Sequence, residues 1–383
     1  MDLSYDCYPI SLETVEKIVV KVGTSTLTHK TGKLDLLQME KLVRELADLA
    51  NLGKKLVLVT SGAVGAGVGR MGLGRRPRTL PEKQAIAAVG QGLLLHMYEK
   101  LFAEYGRIVA QVLLTREDFS DRRRYLNVRH TFFKLLEFEV IPIVNENDTI
   151  AVDELRFGDN DNLAALVAAS VDADLLVLLS DIDGLYTGNP HQDPEARRIP
   201  VIREITPEIE ALAGGVGSSL ASGGMGTKIQ AARIAANSGI PMLIAHGAEE
   251  NVIHRILQGE DLGTLFVPKE GKLHAKKKWI AFGSAVQGRL TIDSGAVRAL
   301  VEEGKSLLPI GITEVEENFE AGAVVSVVGP DQVEVARGIV NYSSSALKKI
   351  KGKKTAEIEK ILGYKDYDEV IHRDNLALWE IHS

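Results

Sequence analysis

Cysteine is almost absent. Cys7 stands alone in a chain of 383 residues. One thiol excludes an internal disulfide framework and a metal site built from several cysteines, and it suits a reducing cytoplasm. An excess of positive charge is also missing: the net charge is −7. Generalised attraction to nucleic acid or to an anionic membrane is therefore not expected. No apolar run is long enough to span a bilayer. The first residues carry Asp2 and Asp6 and no long apolar core, so no signal peptide is expected. Long internal repeats and low-complexity segments are absent as well. What remains is 45% hydrophobic and 25% charged. That is the composition of a globular chain, and the length points to two or more domains.

Strand-like and helix-like stretches alternate over roughly the first two thirds. Lys17–Val22, Leu56–Thr60, Ile108–Leu114, Val140–Val144, Asp174–Leu179, Pro241–Ala245 and Gly263–Val267 read as strands. Between them lie helical stretches, such as the one carrying Leu42, Val43, Leu46, Leu49 and Ala50 on one face and ending at Gly53. Continuous apolar strands such as Leu175–Leu179 fit a sheet covered on both faces. The expected fold class is α/β, an αβα sandwich around a mainly parallel sheet.

Three glycine-rich turns punctuate this domain. Gly23-Thr24-Ser25-Thr26 follows the first strand, Ser61-Gly62-Ala63-Val64-Gly65 follows the second, and Ser222-Gly223-Gly224-Met225-Gly226-Thr227-Lys228 opens a helix. Glycine lets the backbone approach an anion, and amides at a helix start can bind phosphate. None of the three is a Walker loop. The formal G-x-G-x-x-G at Gly67, Gly69 and Gly72 does not follow its strand directly and lacks the acidic partner of a dinucleotide site. Ser61 can either bind a ligand or simply start its turn. Lys21 is odd inside an apolar strand, where an exposed edge lysine is the plain alternative.

The densest polar stretch is Val140–Val171. After the apolar strand come Asn145-Glu146-Asn147-Asp148-Thr149, then Gly158-Asp159-Asn160-Asp161-Asn162, then an apolar run of helical length. Carboxamides and carboxylates thus gather at a strand's carboxyl end and a helix's start, where open parallel sheets bind ligands. Asp161 or Asn162 can cap the helix and turns can use others. Those local roles leave most of the cluster unexplained.

These parts suit phosphoryl transfer. The transferring group spreads negative charge over its oxygens, so catalysis is mostly positioning plus positive electrostatics. Lys21 and Lys228 are the natural cations, and Asp161 is the carboxylate placed to hold both. A carboxylate acceptor is already ionised at pH 7 and requires no general base. Mg²⁺ would travel with the nucleotide, and no metal site of the protein's own is expected.

Several of these motifs resemble the amino acid kinase family. They are Val19-Val20-Lys21-Val22-Gly23-Thr24-Ser25, Thr60-Ser61-Gly62-Ala63-Val64, Val144-Asn145-Glu146-Asn147-Asp148, Phe157-Gly158-Asp159-Asn160-Asp161-Asn162-Leu163 and Gly223-Gly224-Met225-Gly226-Thr227-Lys228. Ala88-Val89-Gly90-Gln91, Leu114-Thr115-Arg116-Glu117-Asp118-Phe119 and Arg124-Tyr125-Leu126-Asn127 resemble its glutamate-phosphorylating members. They weigh against members acting on acetylglutamate, aspartate or carbamate. Farther on, Gly288–Asp293, Ser306–Ile312 and Ala336–Ser344 are similar to a PUA domain, a small β-barrel first known from RNA-modifying enzymes.

The resemblance implies ATP-dependent phosphorylation of the side-chain carboxylate of L-glutamate, the first step of proline biosynthesis, with proline as feedback inhibitor. It implies that Lys21 and Lys228 contact the phosphates and that Asp161 organises them. Ser180, Asp181 and the loop Ser222, Gly223, Gly224, Met225, Gly226, Thr227 would lie at the ATP. Ser61, Asp148 and Asn160 would hold glutamate, with Asn145 and Asp159 close by. Ser180 stands where many members have threonine, and the hydroxyl is retained. The labile acyl phosphate product points to a glutamyl phosphate reductase as partner. A homo-oligomer in the cytoplasm is expected.

The expected domains are 1–268 for the kinase, 269–354 for the PUA domain and 355–383 as a C-terminal tail. From Glu270 to Lys354 there are 13 Lys/Arg against 10 Asp/Glu, and from Thr355 onward 3 against 7. RNA binding by the PUA domain rests on that mild basic excess alone. The domain has few aromatics for stacking on bases: Trp279, Phe282, Phe319 and Tyr342. A solvated basic face is the simpler reading.

Overall fold

Apolar runs become central strands. The computed structural model describes residues 14–29, 31, 33–75, 77–151, 160–188, 193–212, 224–268 and 286–378. Strands β1 (Lys17–Val22), β2 (Lys55–Val59), β3 (Val109–Leu114), β4 (Ile141–Glu146), β5 (Leu175–Ser180), β6 (Val201–Ile202), β7 (Met242–His246) and β8 (Gly263–Phe266) form one sheet. Their order is β3-β4-β2-β1-β5-β7-β8-β6. Every pairing is parallel except β7 with β8. The two-residue β6 is too short to stand out from sequence.

Parallel neighbours need crossovers, and helices supply most of them. In chain order they are α1 (Thr24–Leu27), α2 (Leu36–Asn51), α3 (Ala63–Met71), α4 (Leu80–Ala103), α5 (Arg116–Ser120), α6 (Arg122–Glu137), α7 (Asn160–Val171), α8 (Pro207–Leu212), α9 (Met225–Asn237) and α10 (Val252–Leu257). Side chains alternate across a strand. Ile18, Val20 and Val22 therefore share a core with Leu42, Leu46, Tyr98, Phe102 and Ile256 from α2, α4 and α10. Val19 and Lys21 face the other way, where α7 and α9 pack side by side. Asp35 caps α2 by accepting from Gln38 N at 3.1 Å, and Thr79 caps α4 by accepting from Glu82 N at 3.4 Å. Buried Glu45 on α2 accepts from the amides of Ile253 (2.6 Å) and His254 (2.9 Å) and so ties α10 down.

Glycine decides how closely α3 approaches α4. A Cβ on Gly90 would lie 1.7 Å from the Ala63 carbonyl oxygen, and one on Gly67 would lie 2.1 Å from that of Ile86. Backbone meets backbone there, which any side chain would prevent. The start of α3 is thereby fixed against α4. Gly62, just before it, has φ +92°, a left-handed conformation that glycine adopts freely.

The chain divides into two compact units, Met1–Asp118 with Leu126–Lys272 and Phe119–Tyr125 with Leu273–Ser383. In the second, β9 (Gly288–Ile292), β10 (Ile312–Glu316), β11 (Val324–Val328), β12 (Glu334–Ile339) and β13 (Leu376–Leu378) form a five-stranded sheet ordered β10-β9-β11-β12-β13. Leu290, Val325, Val327, Leu347, Ile350 and Ile371 lie in its core. The segment expected as a tail is integral to this unit over its described part. β13 pairs antiparallel with β12, and Val370, Ile371 and Leu376 are buried. The acidic charge of that segment hides three short apolar stretches that need the sheet to cover them. Among the described residues no helix is long and apolar enough to cross a membrane.

Candidate active site

Three buried side chains meet at the carboxyl end of β1. Lys21 is the next-to-last residue of β1, and its Nζ lies 2.6 Å from Asp161 Oδ1. Lys228 is in the first turn of α9, and its Nζ donates to Asp161 Oδ2 at 3.1 Å. Asp161 sits in the first turn of α7, where the helix dipole favours an anion. Relative exposures are 4%, 3% and 0% for Lys21, Lys228 and Asp161. Isolated charges at such depth would be costly, so the pairing is what permits them. Burial pushes the Asp161 carboxyl up, and the two ammonium groups outweigh it, holding the pKa at about 2. The carboxylate is thus fully ionised at neutral pH. Within this trio one anion faces two cations, at the carboxyl end of the central strand β1.

Thr227 supports the same carboxylate. Its Oγ1 lies 3.1 Å from Asp161 Oδ2 and 2.8 Å from the Gly224 carbonyl, either of which can take its proton. Lys21 therefore belongs to a buried cluster, because the pleat turns it away from the core shared by Val20 and Val22.

A second polar group lies at the ends of β2 and β4. Asn160, the first residue of α7, donates through Nδ2 to the Thr60 carbonyl at 2.5 Å and to Asn145 Oδ1 at 2.7 Å. Asn145 Oδ1 also accepts from Glu146 N at 2.9 Å. Asn145 Nδ2 is buried and has no hydrogen-bond partner among the described residues. A buried donor left unpaired costs about 1–3 kcal/mol. An acceptor atom from a ligand would remove that cost. Ser61 Oγ donates to the Val22 carbonyl at 2.9 Å, which ties the second glycine-rich turn to the end of β1 and leaves its lone pairs unassigned. Asp148 lies in the turn after β4.

The remaining residues fall along the strand ends. Ser180 closes β5, and its Oγ donates to Asp181 Oδ1 at 3.1 Å. The Ser180 carbonyl accepts from Gly247 N at 2.7 Å, and the Leu179 carbonyl accepts from Gly23 N at 3.3 Å. Gly224, Met225, Gly226, Thr227 and Lys228 run from the N-cap into the first turn of α9. Asp159, Ser222 and Gly223 lie outside the described residues. The structure thus unites Lys21, Asp161, Thr227 and Lys228 in one cluster and Thr60, Asn145 and Asn160 in another, joined through adjacent Asn160 and Asp161.

Sequence patterns did not single out Thr60 or Tyr98. The Tyr98 hydroxyl lies 2.9 Å from Thr60 Oγ1 in the interior. Burial pushes that hydroxyl above its ordinary range, so it stays protonated. Gln91, seven residues earlier on α4, donates through Nε2 to the Glu146 carbonyl at 3.1 Å. Gln91 and Tyr98 are two polar residues on the buried face of an apolar helix, a pattern that hints at polar contacts without saying where they end.

The model of the amino acid kinase family matches residues 16–246, and that of the PUA domain matches residues 288–362. The chain belongs to the amino acid kinase family. This kinase is similar to three curated proteins called glutamate 5-kinase. The one from Moorella thermoacetica is 60% identical over 369 residues, covering 96% of this chain and 98% of its own. That from Thermoanaerobacter sp. is 57% identical over 95% and 98%. That from Carboxydothermus hydrogenoformans is 55% identical over 96% and 98%. The family match ends at the last residue of β7, so it contains every residue of both clusters.

Proposed function

We propose that this kinase transfers the terminal phosphoryl group of ATP to the side-chain carboxylate of L-glutamate, forming L-glutamyl 5-phosphate as the first step of proline biosynthesis. The observation that carries the reading is the buried Asp161 between the ammonium groups of Lys21 and Lys228. The choice of glutamate is supported by relatives of that name across nearly the whole chain.

In the proposed reaction a carboxylate oxygen forms a bond to the γ-phosphorus while the bond to the departing ADP oxygen breaks. The acceptor arrives ionised, so no side chain takes a proton. Lys21 and Lys228 stabilise the charge on the transferring group, and Asp161 holds both at the end of β1. Ser180, Asp181 and the segment from Ser222 to Lys228 bind the nucleotide. Ser61, Asp148 and Asn160 hold glutamate, with Asn145 and Asp159 close by. The Asn145 amide, which has no hydrogen-bond partner among the described residues, fits an oxygen of that acceptor. Among the described residues no three His, Cys, Asp or Glu side chains gather as a metal site. Magnesium would be held by the nucleotide's phosphate oxygens and water, where it supplies further positive charge.

The catalytic work is assigned to residues 1–268 and the PUA domain to residues 269–354, with β13 from the segment beyond completing its sheet. Proline, the end product, acts as feedback inhibitor. A glutamyl phosphate reductase takes up the labile acyl phosphate. The kinase works as a cytoplasmic homo-oligomer, and RNA binding by the PUA domain is not part of the reaction.

ADP release with ATP, Mg²⁺ and single acceptors tests the reading, with hydroxylamine present to trap an acyl phosphate. Turnover with L-glutamate, and not with N-acetyl-L-glutamate, L-aspartate or carbamate, is the expected result. Turnover with a different acceptor alone overturns the glutamate assignment and keeps the phosphate side. The Asp148→Ala variant should raise KM for glutamate far more than KM for ATP. Initial-rate kinetics with each substrate varied in turn check this, and a selective rise in the ATP value would remove Asp148 from the acceptor side.

A further inference from the structure

We infer that α4 sets the geometry of the glutamate subsite, with Tyr98 and Gln91 as positioning residues. The inference rests on the proposed reading of Asn145 and Asn160. These two asparagines come from different elements, and one amide joins them: Asn160 Nδ2 spans from the Thr60 carbonyl at the end of β2 to Asn145 Oδ1 on β4. Their placement therefore depends on where the ends of β2 and β4 stand relative to each other. The strands pair in parallel up to this point, Leu58 with Ile143 and Val59 with Val144, and beyond the pairing Thr60 N donates to the Val144 carbonyl at 2.8 Å.

Helix α4 grips both ends. Residues seven apart lie on one face of a helix. Tyr98 reaches the Thr60 hydroxyl at 2.9 Å, and Gln91 reaches the Glu146 carbonyl, one residue past Asn145, at 3.1 Å. A fully buried tyrosine among Leu94, Phe102 and other apolar side chains gains nothing from its hydroxyl unless that group is bonded. Here the bond ends on the residue whose own carbonyl holds Asn160. Gly90 adds the third anchor, because only its missing side chain lets the start of α3, beside Ser61 and Gly62, lie against α4. Tyr98 and Gln91 touch neither substrate in this account. They act through Thr60 and Glu146.

The test is a set of near-isosteric variants. Tyr98→Phe and Thr60→Val each delete one end of the hydroxyl pair, Thr60→Ser keeps it, and Gln91→Met removes the second grip. Tyr98→Phe, Thr60→Val and Gln91→Met should each raise KM for glutamate about three- to tenfold, the worth of one neutral hydrogen bond. KM for ATP should stay within about twofold, since the phosphate side is untouched. Thr60→Ser should remain close to the wild type. If KM for glutamate is unchanged, or rises only in step with KM for ATP, while the thermal midpoint falls, the bonds serve packing alone and the inference is overturned. Should Tyr98→Phe fail to fold, the Thr60→Val and Thr60→Ser comparison decides the same point. Wild-type enzyme that phosphorylates glutamate with variants that show no selective effect rejects this inference and spares the functional reading. Wild-type enzyme that ignores glutamate rejects the reading and this inference with it.

Discussion

Lys228→Ala is expected to lower kcat by at least about a hundredfold, the cost of losing one positioned donor at a developing charge. The fold should survive. Lys228 is one of two cations facing a single carboxylate, so its removal leaves Asp161 still paired with Lys21 and still beside the Thr227 hydroxyl. Asp161 is therefore not left as an unpaired buried charge. Alanine also removes the buried aliphatic stem, which costs packing energy unrelated to catalysis. Lys228→Met separates the two effects, because it keeps most of the volume and drops the charge. Both variants should lose turnover alike, and only the alanine variant should lose thermal stability appreciably. Steady-state kinetics beside thermal unfolding of both proteins checks this. Near-normal turnover in the methionine variant would remove Lys228 from the mechanism.

Much of the sheet was legible because parallel strands buried on both faces leave continuous apolar runs. Leu175–Leu179 could hardly be anything else. The polar chemistry was legible for the complementary reason. Asn145, Asn160 and Asp161 stand where an apolar pattern breaks off, and carboxamides in such number exceed what caps and turns use. Lys21 could be interpreted either way from its strand alone. Its burial depends on Asp161, which is 140 residues distant in the chain, and no local pattern encodes that meeting. Thr60 and Tyr98 were illegible for a related reason. A threonine at a strand end and a tyrosine in an apolar helix are ordinary by composition, and only the packing of α4 under β2 reveals that their hydroxyls meet. The place of the described C-terminal segment from residue 355 was illegible for a third reason. Its surface charge is conspicuous, whereas the short apolar runs around Val370 and Leu376 gain meaning only from the β12 edge they complete.

Asp161→Asn should be more damaging than loss of either lysine, in stability as well as rate. Asparagine keeps the shape and removes the anion that lies between two buried ammonium groups. Breaking a buried ion pair from one side costs about 3–5 kcal/mol, because the remaining charge stays desolvated. Here two such charges would also repel each other. Both cations lose their anchor together, so kcat should fall about a thousandfold or more, beyond the loss for one donor. The effect on stability should depend on pH in a defined direction. The Asp161 carboxyl is held at about 2 in the folded chain against 3.8 when unperturbed. A group depressed in this way binds its proton more readily when the chain unfolds. Its contribution, about 2 kcal/mol, is therefore complete above about pH 4 and is lost as the pH falls toward 2. Urea unfolding of the wild type and Asp161→Asn at a series of pH values measures the gap between them. The gap should be constant from pH 7 to about 5 and narrow below 4. A gap that stays the same down to pH 2.5 would mean that the asparagine variant fails for lack of packing or hydrogen bonding. The electrostatic account of the Lys21–Asp161–Lys228 cluster would then be wrong, whatever the kinetics show.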